Sequence, residues 1–216
     1  MHYPAMVGEH SEEQPERAED ARPEVDPGAE LIARHLRGEA GAFAELVALY
    51  RAPIFGFLVR GGLAPDVADD VFQDTFLRVH QYARAFTPDR SFRVWLFTIA
   101  HNLVRSHHRK RLVRRILVDW WAGPPGEERA FDPPEPGPGP ADTVLTREAL
   151  RLVERSLAAL PEGPRQALLL TQLEGLKLTE AAEVLGVPLA TVKTWVHRGR
   201  KELALAQRAA FGGVES

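Results

Sequence analysis

Nineteen residues from Gly123 to Ala141, GPPGEERAFDPPEPGPGPA, hold seven prolines and four glycines. Proline lacks the backbone N–H and fixes φ, so this stretch sustains neither a helix interior nor a central strand. It reads as an extended, semi-stiff linker, and it divides the chain into two folded parts. The boundaries predicted from composition are a tail over 1–28, a first helical segment over 29–113, a linker over 114–142 and a second helical segment over 143–211. The tail and the two residues after it carry nine acids against Arg17 and Arg22 and show no periodicity, which predicts disorder.

Both flanking parts carry helical stripes. Phe43, Leu46, Val47 and Tyr50 follow i, i+3, i+4, i+7 spacing, as do Leu150, Val153, Leu157 and Leu160. Val67, Val71, Thr75, Phe76 and Val79 line one face of a third helix, and Trp95, Leu96, Ile99, Ala100 and Leu103 line a fourth. No run alternates with period two between turn dipeptides, so the predicted fold is all-α, in two small helical bundles. The absence of cysteine excludes disulfide scaffolds, thiolate catalysis and thiolate-bound metals. The first thirty residues lack an apolar core, and no apolar run approaches the roughly 20 residues that span a bilayer. These features lead us to expect a soluble, intracellular protein.

The formal net charge of −3 hides a strong asymmetry. His101–Arg115 holds Arg105, Arg109, Lys110, Arg111, Arg114 and Arg115 with no acid. Leu189–Leu203 holds Lys193, Arg198, Arg200 and Lys201 against Glu202. Local potential decides whether a face attracts phosphate, so both stretches are candidate nucleic-acid contacts. The second lies in LTEAAEVLGVPLATVKTWVHRGRKEL, residues 178–203. There Thr179 is a candidate N-cap, Gly186 a helix-ending turn and Pro188 the start of a second helix. Val192, Val196, Gly199 and Leu203 form its inward stripe, which leaves Lys193, Thr194, His197, Arg198 and Lys201 outward. Two short helices, a tight turn and a basic outer face describe a helix-turn-helix whose second helix enters the major groove. A plain helical hairpin with a solvated charged face is the alternative.

The longer run ALPEGPRQALLLTQLEGLKLTEAAEVLGVPLATVKTWVHRGRKEL resembles region 4 of the extracytoplasmic-function (ECF) sigma factors, within the sigma-70 family, across the whole module without a gap. The resemblance implies that Lys193, Thr194, His197, Arg198 and Lys201 read the minus-thirty-five element. Ala190 and Trp195 depart from the family's usual Gly and Arg.

In the first part, DVADDVFQDTFLRVH (66–80) buries one face and shows Asp69, Asp70, Gln73, Asp74 and the apolar Leu77 on the other. An exposed leucine beside polar groups suits a protein contact. The segment resembles sigma region 2.2, with Ala68, Asp70, Gln73 and Phe76 in register. That implies a polymerase interface at Asp70, Gln73, Asp74, Leu77 and Arg78. Phe86 to Asp89 and SFRVWLFTIAHNLVRSHHRKR (91–111) place an aromatic helix before dense positive charge, which suits unpaired bases and their phosphates. They resemble sigma regions 2.3 and 2.4. By that resemblance Phe86 and Asn102 belong to a flipped-base pocket of the minus-ten element, while Arg105, Arg109, Lys110 and Arg111 track phosphates. Thr98, His101 and Ser106 depart from the family pattern. Trp95 reads as core.

Taken together, the resemblance implies a sigma factor that binds core RNA polymerase (clamp helices and flap), recognises a bipartite promoter and melts it. It also implies an anti-sigma partner, which would be the chain's sole route to a membrane. A helix-turn-helix regulator with a ligand-sensing domain is the alternative, and a nucleic-acid enzyme is a third reading. No catalytic constellation, cofactor or small-molecule substrate is expected. His107 and His108 are adjacent and point apart on a helix, so with His101 they do not compose a metal site. Trp120 and Trp121 read as packing on the first part. The acids Asp119, Glu127, Glu128, Asp132 and Glu135 are candidates for mimicking a nucleic-acid backbone within polymerase.

Overall fold

The computed structural model describes residues 26–122 and 144–211, with side chains for 26–110, 151–206 and 208. The described elements are all helical. They are α1 (Pro27–Leu36), α2 (Ala42–Arg60), α3 (Pro65–Tyr82), a 3₁₀ turn (Ala83–Ala85), α4 (Phe92–Ala122) and α5 (Val144–Ala159), then α6 (Glu162–Leu168), a π-helical turn (Leu169–Leu173), α7 (Leu178–Leu185) and α8 (Leu189–Phe211). The proline-rich linker and its acids beyond Ala122 lie outside the described residues, as does the tail before Asp26. Two edges differ from the sequence reading. Helix α1 begins at Pro27, and α4 continues to Ala122, so Trp120 and Trp121 are helical residues.

One carboxylate organises the first half. Asp26 is the N-cap of α1, where its Oδ1 accepts the N–H groups of Gly28 (2.9 Å) and Ala29 (3.3 Å). Its Oδ2 accepts the N–H of Phe92, the first residue of α4, at 2.7 Å. Two helix N-termini therefore share a single anion, each offering unpaired amides and a positive dipole end. Tyr50 of α2 packs against the Phe92 ring, and its phenol is pushed up to about 12 by burial and by the charge of Asp26. Around this point Ile32, Leu46, Ile54, Phe57, Phe92 and Phe97 are almost fully buried.

Helix α2 corrects the expectation that no segment reaches membrane-spanning character. Its 19 residues reach a mean hydropathy of 1.6, long and apolar enough by length and composition alone to cross a membrane. Its position explains that character: Leu46, Ile54, Phe57 and Leu58 form the core, while Glu45, Arg51 and Arg60 are exposed.

The second half does not stand apart from the first. Its buried Leu157, Leu160, Leu168, Leu169, Leu170 and Leu185 belong to the same continuous apolar core as α2 and α4. Helix α7 packs on α4, and α5 and the π turn pack on α2. Polar groups cross the boundary too. Arg93 Nη2 donates to Glu174 Oε2 at 2.9 Å, and the Arg165 guanidinium lies against Gly62 while donating to the carbonyl of Ala158. Burial pulls the Arg165 guanidinium below its usual range.

Removing a capping side chain costs about 1 kcal/mol, and Asp26 serves two helix starts, so Asp26→Ala is expected to lower unfolding stability by about 1–3 kcal/mol. Urea denaturation followed by circular dichroism measures it. Asp26→Asn, which keeps acceptor oxygen, should recover part of the loss, and an unchanged midpoint in the alanine variant would disprove the double cap.

Candidate nucleic-acid interface

Helix α7 starts at Leu178 with Lys177 at its N-cap, which corrects the assignment of that role to Thr179. The lysine side chain is no acceptor. The helix start is held instead by Glu180, whose Oε2 accepts the Lys177 N–H at 2.7 Å. Gly186 ends the helix at φ +63°, in the left-handed region that costs glycine nothing, and Val187 N–H returns to the carbonyl of Ala182 at 3.2 Å. The next helix begins at Leu189, with Thr191 N–H on the Pro188 carbonyl at 2.9 Å.

Along α8, Val192, Val196 and Gly199 are buried and Leu203 is half-buried, matching the inward stripe. Gly199 marks a close approach to α6. A methyl group there would fall 2.6 Å from Leu168 Cδ1, so any larger residue needs that buried side chain to shift. Lys193, Thr194, His197, Arg198 and Lys201 are all exposed on the opposite face. Thr194 Oγ donates to the Ala190 carbonyl at 2.9 Å, which fixes its rotamer. Two residues of α8 have roles that the sequence reading did not include. Arg200 Nη2 donates to Gln172 Oε1 at 2.7 Å, tying α8 to the π turn. The Trp195 indole lies over Gly163 at the start of α6. The basic run offered a signal for Arg200 only as charge, because its partner lies 28 residues earlier.

On α3, Asp69, Asp70, Gln73, Asp74 and Arg78 are exposed, and Leu77 keeps 53% of its surface in solvent. Ala68, Val71, Thr75, Phe76 and Val79 face the core. An acidic, hydrogen-bonding surface with an open leucine is thus presented on one side of a single rigid helix.

The residues expected around the unpaired strand separate into two groups. Asn102, Arg105 and Arg109 share a groove of about 420 Å³ with Ser106, His108 and Glu162. Lys110 is exposed on the same helix, and the side chain of Arg111 lies outside the described residues. Phe86 does not line that groove. It is 8% exposed, edge-on to Phe92 at 5.4 Å and tilted against Trp95 at 5.4 Å. Trp95 completes this aromatic cluster, as its core assignment requires. Thr98 turns its hydroxyl back onto the Val94 carbonyl at 2.7 Å. Among the described residues no three His, Asp or Glu side chains gather in a way that would hold a metal ion.

A larger groove of about 640 Å³ runs between the halves, with His101, Arg105, Glu162, Trp195, Arg198 and Glu202 among its walls. His101 is 5% exposed. Burial chiefly, and then the Arg105 charge, hold its imidazole below the usual histidine range, against opposing effects from Glu162 and a hydrogen bond with Gln166.

Comparison with known proteins places these features in a family. A model described as Sigma-70 region 2 matches residues 46–114, and one described as Sigma-70, region 4 matches residues 150–203. The chain is similar to the ECF RNA polymerase sigma factor SigW of Bacillus subtilis, 31% identical over 167 residues that cover 77% of this chain and 89% of that one. It is also similar to the RNA polymerase sigma factor CnrH of Cupriavidus metallidurans, 35% identical over 180 residues, 81% of this chain and 91% of the relative. The solved structure of CnrH with the cytosolic domain of CnrY superposes with a TM-score of 0.59 at 28% identity, covering 85% of this chain and 99% of that one. The sigma factor RpoE, solved with NepR from Bartonella quintana, shares the fold at a TM-score of 0.62 and 24% identity, over 82% and 100% of the two chains.

His101 makes stability depend on pH in a defined direction. Its folded pKa is depressed below the unfolded value of 6.5, so the unfolded chain takes up the proton first. The contribution is complete above that value and is lost as the pH falls below it. Urea midpoints at mildly alkaline and mildly acidic pH should therefore drop less in His101→Gln than in the parent. Equal drops would show that this imidazole is not responsible.

Proposed function

The chain belongs to the ECF sigma factors of the sigma-70 family, and we propose that its two helical halves divide promoter recognition as follows. As a sigma factor it acts without covalent chemistry, directing RNA polymerase to promoters. Helix α8 enters the major groove at the minus-thirty-five element. Arg198 and Lys193 meet base acceptors or phosphates there, Thr194 and His197 make shorter contacts, and Lys201 holds the backbone. The observation that carries this reading is the side-chain division of α8, where the aliphatic stripe is buried and all five candidate contacts are open to solvent.

Helix α4 serves the minus-ten element. Asn102 hydrogen-bonds an extruded base, and Arg105, Arg109, Lys110 and Arg111 follow the phosphates. Phe86 supports that pocket from inside the aromatic cluster, anchoring the loop that precedes α4. Core polymerase docks on the outer face of α3, with Leu77 as the apolar centre and Asp70, Gln73, Asp74 and Arg78 around it. A helix-turn-helix regulator would need no counterpart of the region that matches Sigma-70 region 2, so the family match favours the sigma reading.

The solved complex of the relative CnrH with the cytosolic domain of CnrY supports an analogous protein partner for this chain, in the cytoplasm, with any membrane contact made through that partner. We assign it the role of an anti-sigma factor. No small-molecule substrate or cofactor enters the mechanism.

Arg198→Ala is expected to weaken promoter occupancy by about 1–3 kcal/mol if it reads a base, measured by footprinting of the holoenzyme. An unchanged upstream footprint removes it from the interface. Asn102→Ala should leave polymerase binding intact and slow open-complex formation, read as lost permanganate reactivity at the minus-ten region. Retained reactivity would take Asn102 out of the pocket. Asp70→Ala and Gln73→Ala should reduce co-purification with core polymerase, and normal recovery would place the interface elsewhere.

A further inference from the structure

His101 of α4 and Trp195 of α8 both depart from the family pattern, and promoter recognition as set out above gives neither of them a task. The fold nevertheless brings both to the wall of the groove of about 640 Å³. That volume lies within the range of about 300–1,000 Å³ usual for small-molecule sites. The Trp195 ring rests against Gly163, where a methyl group would fall 2.8 Å from it, and the indole stays half-buried. Leu160 and Leu185 extend the apolar wall.

The polar groups of the same wall are unevenly satisfied. His101 is 5% exposed, yet its Nδ1 has no hydrogen-bond partner. Burial favours the neutral imidazole, which has a single N–H, and with that N–H on Gln166 the Nδ1 is a bare acceptor. A buried polar atom left unpaired in this way is rare in folded proteins. Glu162 accepts from Gln166 Nε2 at 3.2 Å, and Glu202 is an exposed carboxylate on the same wall. Arg105 and Arg198 are exposed there too, and neither forms an ion pair among the described residues. A flat aromatic surface, an acceptor without a donor and two uncommitted guanidinium groups therefore share one cavity.

We propose that this groove binds a nucleoside monophosphate whose base carries N–H donors, as guanine does. The base stacks on Trp195, a ring donor meets His101 Nδ1, and the phosphate lies between Arg105 and Arg198. Stacking accepts any flat ring, the unpaired Nδ1 selects a ring with a donor edge, and the two guanidinium groups select a phosphate. Nothing in the site requires DNA or polymerase, so it is measurable on the free chain. Arg105 and Arg198 are also assigned above to the promoter. Nucleotide and promoter thus draw on the same cations, and binding of either opposes the other to the same degree.

Calorimetric titration of the full chain with GMP should show a single saturable site. Trp195→Leu keeps an apolar side chain against Gly163 and should weaken GMP binding about tenfold or more, the loss expected when a base loses its stacking ring. Its circular dichroism spectrum should match that of the parent. In the parent chain the His101 Nδ1 resonance, assigned through its own Cα and Cβ, should move towards the hydrogen-bonded range on adding GMP. That readout needs no variant, so it decides the matter even where a substitution disturbs folding. Guanosine and inorganic phosphate should each bind more weakly than GMP. Inorganic phosphate binding as tightly as GMP would mean an adventitious ion only, held by the two arginines, and would overturn the proposal. So would absence of GMP binding, an unmoved Nδ1 resonance or parental affinity in Trp195→Leu. Promoter-dependent transcription with core polymerase tests the sigma-factor reading separately, since it requires no nucleotide in this groove.

Discussion

Helix α4 has to satisfy opposite demands along one rod. Its first turns are apolar and aromatic, and they need neighbours on more than one side: α2 and α3 cover Phe92, Leu96 and Phe97, while α7 covers another flank. Beyond Leu103 the same helix turns cationic and needs solvent or anions. A helix hydrophobic on more than one side is stable only when buried on more than one side. That requirement draws the second half onto the first and sets how the remaining elements are placed. The aromatic cluster of Phe86, Phe92 and Trp95 then fixes the loop entering α4, and the shared Asp26 carboxylate fixes its first amides.

The helix-turn-helix solves a different problem with short-range means. Its rigidity comes from the Glu180 cap, the left-handed Gly186 and the contact of Gly199 with Leu168. The Arg200–Gln172 hydrogen bond and the Trp195 ring over Gly163 brace α8 from behind. Outward side chains can then be presented to DNA from a helix already held in place, which lowers the ordering cost of recognition.

This contrast explains what the sequence made legible. The all-α class, the turn at Gly186, the division of α8 into inward and outward faces and the open surface of α3 all depend on residues within a turn or two of each other, where periodicity and capping rules apply. Thr179 is the better acceptor by type and so attracts the cap assignment for α7, whereas a glutamate three residues after the true cap closes the helix start. The docking of the halves was hidden. Arg93 and Glu174 lie 81 residues apart, and a buried glutamate next to a glycine reads locally as an exposed turn. Family register groups Phe86 with Asn102, and the register alone carries no sign that the Phe86 ring packs against Phe92 and Trp95. The double role of Asp26 was invisible for a related reason, since one oxygen serves a neighbour in sequence and the other a residue 66 positions away.

The extension of α4 to Ala122 alters the tether between the halves. The nine residues from Arg114 to Ala122 advance about 1.5 Å each as helix instead of the 3.3–3.6 Å of extended chain. Covalent connection between Ala122 and Val144 therefore confines each half to a smaller volume around the other, which raises their effective concentration towards about the millimolar range typical of short linkers. Packing of one half on the other is thereby favoured within one chain over the same packing between two separate molecules.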